Sequence, residues 1–244
     1  MSPDAGAETG RKVLVIGAEG GLGAAIAAAY AAQGAALARA DLAPTAPDAL
    51  ALDVTDAASV AAGFETAATR LGGLDVVINA AGVLHAPAPL RDLSEAEFDR
   101  AYAVNARGAF LCLRAALRAM TAAPAETDRA ILTIASVAGL VGAPMLGGYA
   151  ASKHAVVGLT RTAADEAARF GVRVNALCPS FAETPMLESL GPAADDVSKL
   201  TRRIPLRRLA TPEEVAAAAR WICSAENRFM TGQAIALDGG LTAI

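Results

Sequence analysis

Tyr149 and Lys153 stand four residues apart in the stretch Tyr149-Ala150-Ala151-Ser152-Lys153, and Ser136 lies thirteen residues upstream. In a helix, that spacing puts the phenol and the ammonium one turn apart on the same face. An ammonium beside a phenol favours the phenolate and lowers a pKa that ordinarily lies near ~10. Tyr149 is therefore a candidate general acid or base close to neutral pH. A Tyr and a Lys four apart also occur on many ordinary helices, so the rest of the chain must supply their partners.

A second constellation lies near the start. Gly17-Ala18-Glu19-Gly20-Gly21-Leu22-Gly23 follows an apolar run and leads into a helical pattern. The spacing is GxxxGxG rather than GxGxxG, but the mechanism is the same. Glycines let the backbone turn tightly and approach a pyrophosphate, which then sits on a helix N-terminus. Asp41, at the end of the second apolar run, can accept hydrogen bonds from ribose hydroxyls and repels a 2′-phosphate. Arg39, two residues earlier, shares its strand face and is the one opposing charge. NAD rather than NADP is the expected cofactor.

The elements that must position these residues alternate along the chain. Strands are expected at residues 12–16, 35–40, 49–52, 74–78, 130–135, 172–177 and 234–237, several of them continuous apolar runs suited to a parallel sheet covered on both faces. Helices are expected at residues 22–33, 57–71, 94–120, 149–170 and 211–224. The last opens on Thr211-Pro212-Glu213-Glu214, a cap, a first-position proline and two first-turn acids. This alternation predicts an α/β fold, a Rossmann-type doubly wound parallel sheet of about seven strands. Residues 42–49, with Pro44 and Pro47, are too few for a helical crossover, so a stripped-down loop is expected there. Residues 180–210 hold no clear strand, a short helix around 185–190 and four arginines, the pattern of a functional lid. Residues 1–10 read as a flexible tail and 11–244 as a single domain.

Composition narrows the function. The chain has 244 residues, 54% of them hydrophobic and 19% charged, with a net charge of −4. Ample apolar surface excludes disorder, and the absence of a basic run argues against nucleic acid. No stretch reads as a membrane span or a secretory signal. Cys112, Cys178 and Cys223 are widely spaced and odd in number, so a reducing cytoplasm is expected and a disulfide framework or metal site is not. His85 reads as a solvated loop residue and His154 as pointing away from Tyr149. Asp165 and Glu166 read as surface charges, and Cys178 as inert packing.

Together these motifs resemble the short-chain dehydrogenase/reductase family over residues 11–244. Gly17, Gly21 and Gly23 match its glycine motif, with Ile16 where the family has Thr. Asp53-Val54 is similar to its adenine-contacting pair and Asn79-Ala80-Ala81-Gly82 to its NNAG turn. Ser136, Tyr149 and Lys153 fit the catalytic Ser and YxxxK positions, and Asn105 falls where the family places the Asn of a proton relay. Thr184 resembles the Thr that contacts the nicotinamide amide. Ser180 replaces a usual Gly after Pro179, and Asp238-Gly239-Gly240 fits the C-terminal signature.

The resemblance implies catalysis by Asn105, Ser136, Tyr149 and Lys153. It implies cofactor contacts from Gly17, Gly21, Leu22, Gly23, Asp41, Asp53, Val54, Asn79, Ala80, Gly82, Tyr149, Lys153, Pro179 and Thr184. The expected activity is NAD-dependent interconversion of a secondary alcohol and a ketone, in a homo-oligomer (tetramer or dimer). Alternatives are an NADPH-dependent 3-oxoacyl-thioester reductase and, more distantly, a non-catalytic NAD-binding regulator. Residues 139–146 and 186–190 suggest an apolar pocket. Arg202, Arg203, Arg207 and Arg208 could bind a phosphate-bearing substrate such as an acyl-CoA, or pair with Asp195, Asp196, Glu213 or a neighbouring subunit.

Overall fold

A computed structural model describes residues 8–122, 128–190 and 197–243. Seven parallel strands form one sheet in the order β3-β2-β1-β4-β5-β6-β7. They are β1 (Lys12–Ile16), β2 (Ala36–Asp41), β3 (Leu50–Ala51), β4 (Val76–Asn79), β5 (Arg129–Ile134), β6 (Val172–Pro179) and β7 (Ala234–Leu237). Every residue of β4 and β6 is buried, as expected of strands covered on both faces, although β6 also buries Arg173 and Asn175.

Helices cover both faces. On one side, α1 (Gly21–Ala31) and α8 (Pro212–Cys223) pack on Val13, Val15, Ile78 and Leu132. On the other, α2 (Ala57–Leu71), α4 (Gly108–Thr121) and α5 (Gly147–Ala168) pack on Leu14, Val77, Ile131 and Val174. The expected cap of α8 is present in full: Thr211 Oγ1 accepts from Glu214 N at 3.2 Å, and the Glu214 carboxylate accepts from Thr211 N at 2.9 Å. The strand order reverses between β1 and β4, so a crevice opens beyond their carboxyl ends, where such sheets bind ligands.

Three expectations are revised. The single helix expected over 94–120 is instead α3 (Glu95–Tyr102), a π-helical turn (Ala103–Arg107) and α4. The wider turn coincides with Asn105, whose side chain is drawn into bonds with the β4 loop and α5. Residues 8–10 are not a loose tail: Glu8 is buried against Arg11 at 3.3 Å, and Gly10 N donates to Gly34 O at 3.0 Å. Residues 1–7 lie outside the described residues. Within 180–210, α6 (Pro185–Glu188) lies where a short helix was expected, whereas α7 (Val197–Thr201) has no clear sequence signal.

The link from β2 to β3 is the helix-free loop that its two prolines imply. Glu19 holds it, accepting from Thr45 N at 2.7 Å, Thr45 Oγ1 at 2.8 Å and Ala46 N at 2.9 Å. On the other side of the sheet, buried Arg173 ties β6 to the end of α8. It pairs with Asp128 at 3.0 Å and donates to the carbonyls of Ile222, Cys223 and Ser224. Replacing Arg173 by Met removes the shorter ion pair of Asp128 and the side-chain donor to Ile222 O, while Arg11 still reaches Asp128 at 3.5 Å and Cys223 O at 3.0 Å and Asn227 N still donates to Ser224 O. We expect a loss of about 3 kcal/mol of stability, measurable by urea denaturation.

Candidate active site

One cavity of about 1050 Å³ runs along the carboxyl ends of the central strands. The glycine turn forms one end. Gly17 adopts a left-handed φ of +75°, and a Cβ added at Gly23 would stand 1.9 Å from the Gly17 carbonyl oxygen, so neither position admits a side chain. Gly21 is needed for a different reason: its added Cβ would meet Thr184 at 2.7 Å, because the start of α6 rests on the turn. The N-terminus of α1 carries no side-chain cap and no acid in its first turn. Its free N–H groups face a cavity with room for an anionic group.

Beyond that turn, Asp41 Oδ2 accepts from Glu19 N at 2.9 Å and Oδ1 from Leu42 N at 2.8 Å. Backbone N–H groups of Ala46 and Thr45 hold the Glu19 carboxyl below the usual carboxylate range. Arg39 is not available to a phosphate, because it makes two hydrogen bonds to Asp48, at 2.7 and 2.9 Å. Asp53 folds back on Thr55, accepting from its N at 2.8 Å and Oγ1 at 2.7 Å, which presents Val54 and Thr55 along the wall.

At the other end, Ser136 follows the last residue of β5 by two positions, and its Oγ accepts from Ala138 N at 3.1 Å to start a 3-10 turn at Val137–Gly139. Tyr149 and Lys153 sit on the first turns of α5, on one face as their spacing requires, and both are buried. The Lys153 ammonium lies 5.6 Å from the centre of the Tyr149 ring and donates to the Ile134 carbonyl at 2.9 Å.

The expected lowering of the Tyr149 pKa is not what the free protein shows. Burial pushes the phenol up to about 12, and the Ser136 hydroxyl only partly offsets it. Burial also pushes Lys153 down, to about 8. In both groups desolvation by burial is the largest cause of the shift. Tyr149 therefore rests as a neutral acid.

Two residues assigned to the site stand behind the cavity wall. Asn79 Oδ1 accepts from Ala81 N at 3.1 Å and shapes the following turn. Asn105, in the π turn, accepts from Val83 N at 2.8 Å and donates to Val83 O at 2.9 Å and Ser152 Oγ at 3.0 Å. Its amide thus touches Lys153 only indirectly. A Cβ at Gly82 would lie 3.3 Å from both Asn105 Oδ1 and Lys153 Nζ. The other assigned residues, Gly17, Gly21, Leu22, Gly23, Asp41, Asp53, Val54, Ala80, Gly82, Ser136, Tyr149, Lys153, Pro179 and Thr184, all line the cavity.

Several contributors carried no functional signal in the sequence. Glu19 looked like a variable position of the glycine turn. Ser152 is fully buried and bridges Asn105 to the Tyr149 carbonyl. Gly139 lies so close to α5 that a Cβ would stand 2.7 Å from the Lys153 carbonyl oxygen. His85 is buried rather than solvated, with Nδ1 2.8 Å from Ala86 O, and is not part of the cavity wall. His154, Asp165 and Glu166 are exposed as read. Cys178 is buried, and its thiol is pushed up to about 11, as befits inert packing.

The arginines of residues 180–210 separate. Arg208 pairs with Glu214, not Glu213, at 2.6 Å, and the Arg207 guanidinium donates to the Arg202 carbonyl. Arg203 lines the cavity. Asp195 and Asp196 lie outside the described residues.

A family profile described as enoyl-(acyl carrier protein) reductase matches residues 17–242. The chain belongs to the short-chain dehydrogenase/reductase family. Enzymes of this family use a nicotinamide cofactor, NAD or NADP. The cis-4-hydroxycyclohexanecarboxylate dehydrogenase of Sinomonas cyclohexanicum is 41% identical over 79% of this chain and 75% of that protein. The 2,5-dichloro-2,5-cyclohexadiene-1,4-diol dehydrogenase of Sphingobium indicum is 42% identical over 71% and 69%. Among solved structures, 3-ketoacyl-(acyl-carrier-protein) reductase from Brucella melitensis complexed with NADH superposes with a TM-score of 0.88. It is 32% identical, over 96% of this chain and 99% of that one. Among the described residues, no cluster of His, Cys, Asp or Glu could hold a metal ion, and no helix is long and apolar enough to cross a membrane.

Burying Lys153 makes stability depend on pH in a definite direction. The folded ammonium titrates near 8 and the ordinary group near 10.5, so between those values the unfolded chain binds more protons. Stability relative to Lys153→Met should therefore rise as pH climbs from about 8 to about 10.5. Urea denaturation of both proteins across that range checks the sign.

Proposed function

We propose that this protein is an NAD(H)-dependent oxidoreductase that interconverts a secondary alcohol and a ketone, with Tyr149 as the acid–base group. The observation that carries this reading is the buried Tyr149–Lys153 pair with Ser136 beside it, in one cavity with an uncapped helix N-terminus and the carboxylates of Glu19, Asp41 and Asp53. A non-catalytic NAD-binding regulator needs none of the cluster. The cradle fits a dinucleotide: the glycine turn is closed to side chains, the α1 N–H groups suit a pyrophosphate, and Asp41 and Glu19 suit ribose hydroxyls. When bound there, nicotinamide supplies the carbon that accepts or donates hydride.

In the direction of reduction, Tyr149 starts protonated and donates to the carbonyl oxygen as it gains charge. Ser136 donates a hydrogen bond to the same oxygen and stabilises the developing oxyanion. In oxidation, Tyr149 must first lose its proton, and Ser136 holds the alcohol oxygen while the phenolate takes the hydroxyl proton. Lys153 supplies positive charge beneath the ring and keeps the phenolate accessible. Asn105 and Ser152 fix the turn of α5 that bears both residues.

NAD is favoured over NADP by the Asp41 and Glu19 carboxylates, two of the acids at the adenosine end, and by the engagement of Arg39 with Asp48. The identity of two cyclic-alcohol dehydrogenases with this chain, and an apolar wall from Val141, Pro144, Leu146, Met186 and Leu187, favour a compact apolar or alicyclic alcohol. The lid assignment for residues 180–210 rests on α6 packing over the glycine turn. The three free cysteines support a reducing, cytoplasmic location, and family resemblance supports a homo-oligomer.

Two measurements test the reading. Tyr149→Phe should lose turnover by about a thousandfold or more while binding NADH within about twofold of wild type; turnover within about tenfold of wild type sinks the role of Tyr149. Titration of the wild type should give NADH affinity at least about tenfold above that for NADPH. The reverse order would favour an NADPH-dependent 3-oxoacyl-thioester reductase.

A further inference from the structure

Five charged side chains line the cavity: Glu19, Asp41, Asp53, Lys153 and Arg203. The three acids gather at the adenosine end, beyond β2 and β3. Lys153 is turned into the protein and held by Ile134 O. Arg203 is therefore the one guanidinium on an otherwise apolar wall, and among the described residues it has no ion-pair partner.

Its position is built rather than incidental. The next residue, Ile204, is buried and meets Gly239, where an added Cβ would stand 2.6 Å from Ile204 Cγ2. Leu206 N donates to Gly239 O at 3.1 Å. Gly239 holds a left-handed φ of +61°, in a turn that Asp238 closes by accepting from Gly240 N and Thr242 N. The same turn presents Leu241 and Thr242 to the cavity. The backbone of Arg203 is thus fixed beside the wall, while its long side chain stays exposed at the mouth.

We infer that Arg203 is a specificity residue that pairs with a single carboxylate carried by the substrate, remote from its carbinol carbon, so that the preferred substrates are apolar or alicyclic hydroxy acids and their keto acids. This rests on the secondary-alcohol reading above. A single cation matches a single negative charge. A coenzyme A ester would bring several phosphate charges to a cavity in which Arg202, Arg207 and Arg208 take no part, the last two being engaged with Arg202 O and Glu214. A guanidinium binds a carboxylate in a two-bond fork, and apolar walls around it exclude alcohols that carry extra unpaired polar groups.

The test separates binding from turnover. The protein–NADH complex is titrated calorimetrically with cyclohexanecarboxylate and with neutral cyclohexanemethanol, for wild type, Arg203→Met, Arg203→Lys and, as a control, Arg202→Met. Oxidation of cis-4-hydroxycyclohexanecarboxylate and of 4-methylcyclohexanol is followed with NAD. The carboxylate should bind wild type more tightly than the neutral compound and weaken at least about fivefold in Arg203→Met, an effect suited to a solvent-exposed pair. Arg203→Lys should recover part of it, Arg202→Met should match wild type, and the neutral compound should change less than about twofold. For the hydroxy acid the loss should appear in KM rather than kcat. Equal weakening of both ligands in Arg203→Met, or no preference of the wild type for the acid, overturns the assignment. So does a matching loss of NADH affinity in Arg203→Met, which would assign the guanidinium to the cofactor's pyrophosphate. If the acid binds through Arg203 but neither alcohol is oxidised, the carboxylate site stands and the secondary-alcohol reading falls.

Discussion

The burial of one ammonium organises this site. Lys153 has lost almost all contact with water, and its charge is compensated mainly by the Ile134 carbonyl at the end of β5. A buried charge tolerates few arrangements, because the cost of leaving it unpaired exceeds that of most packing defects. Its requirement joins the first turns of α5 to the carboxyl end of β5, where Ser136 follows two residues later. The placement of Ser136 relative to Tyr149 and Lys153 is therefore tied to the packing of α5 on β5.

Two glycines follow from that constraint. At Gly139 a side chain would strike the Lys153 backbone, and at Gly82 it would crowd both Asn105 Oδ1 and Lys153 Nζ. The π turn at Ala103–Arg107 belongs to the same set. It lets Asn105 take both polar groups of Val83 and still reach Ser152, so the β4 loop, the α3–α4 connection and α5 are held by one amide. Interior π turns are often associated with function, and here the functional consequence is the fixed height of Tyr149 and Lys153 on α5.

The sequence made these ends of the chain unequally legible. The parallel sheet was readable because its strands are covered on both faces, and β1 and β4 in particular are apolar over most of their length. The pairing of Tyr149 with Lys153 was readable because helical spacing is rigid. What could not be read was the orientation of the ammonium. The four-residue spacing does not say that the ammonium donates to the Ile134 carbonyl, nor that burial raises the Tyr149 pKa. The length of the helix through Asn105 was misjudged for a related reason: a π turn inserts no breaker residue and leaves the apolar period nearly intact. His85 looked solvated because a loop position says nothing about what packs over it. Glu19 was silent because its partners, Thr45 and Ala46, lie in a loop whose path only the fold defines.

The cavity's charges form a gradient with a chemical consequence. On the proposed reading, the carboxylates at one end suit ribose hydroxyls, the uncapped α1 terminus suits a pyrophosphate, and the neutral phenol and the apolar wall suit the reacting carbon. A cofactor entering in the opposite sense would place its pyrophosphate against apolar wall and its ribose hydroxyls against no acceptor. The polarity of the site thus selects one orientation before any shape is considered. It also explains why a neutral Tyr149 in the free protein is compatible with a base in oxidation. Burial keeps the proton on the phenol despite the Lys153 ammonium 5.6 Å from its ring, and additional positive charge placed beside it favours the phenolate. Desolvation of a buried phenol both suppresses its ionisation and magnifies the effect of a nearby charge.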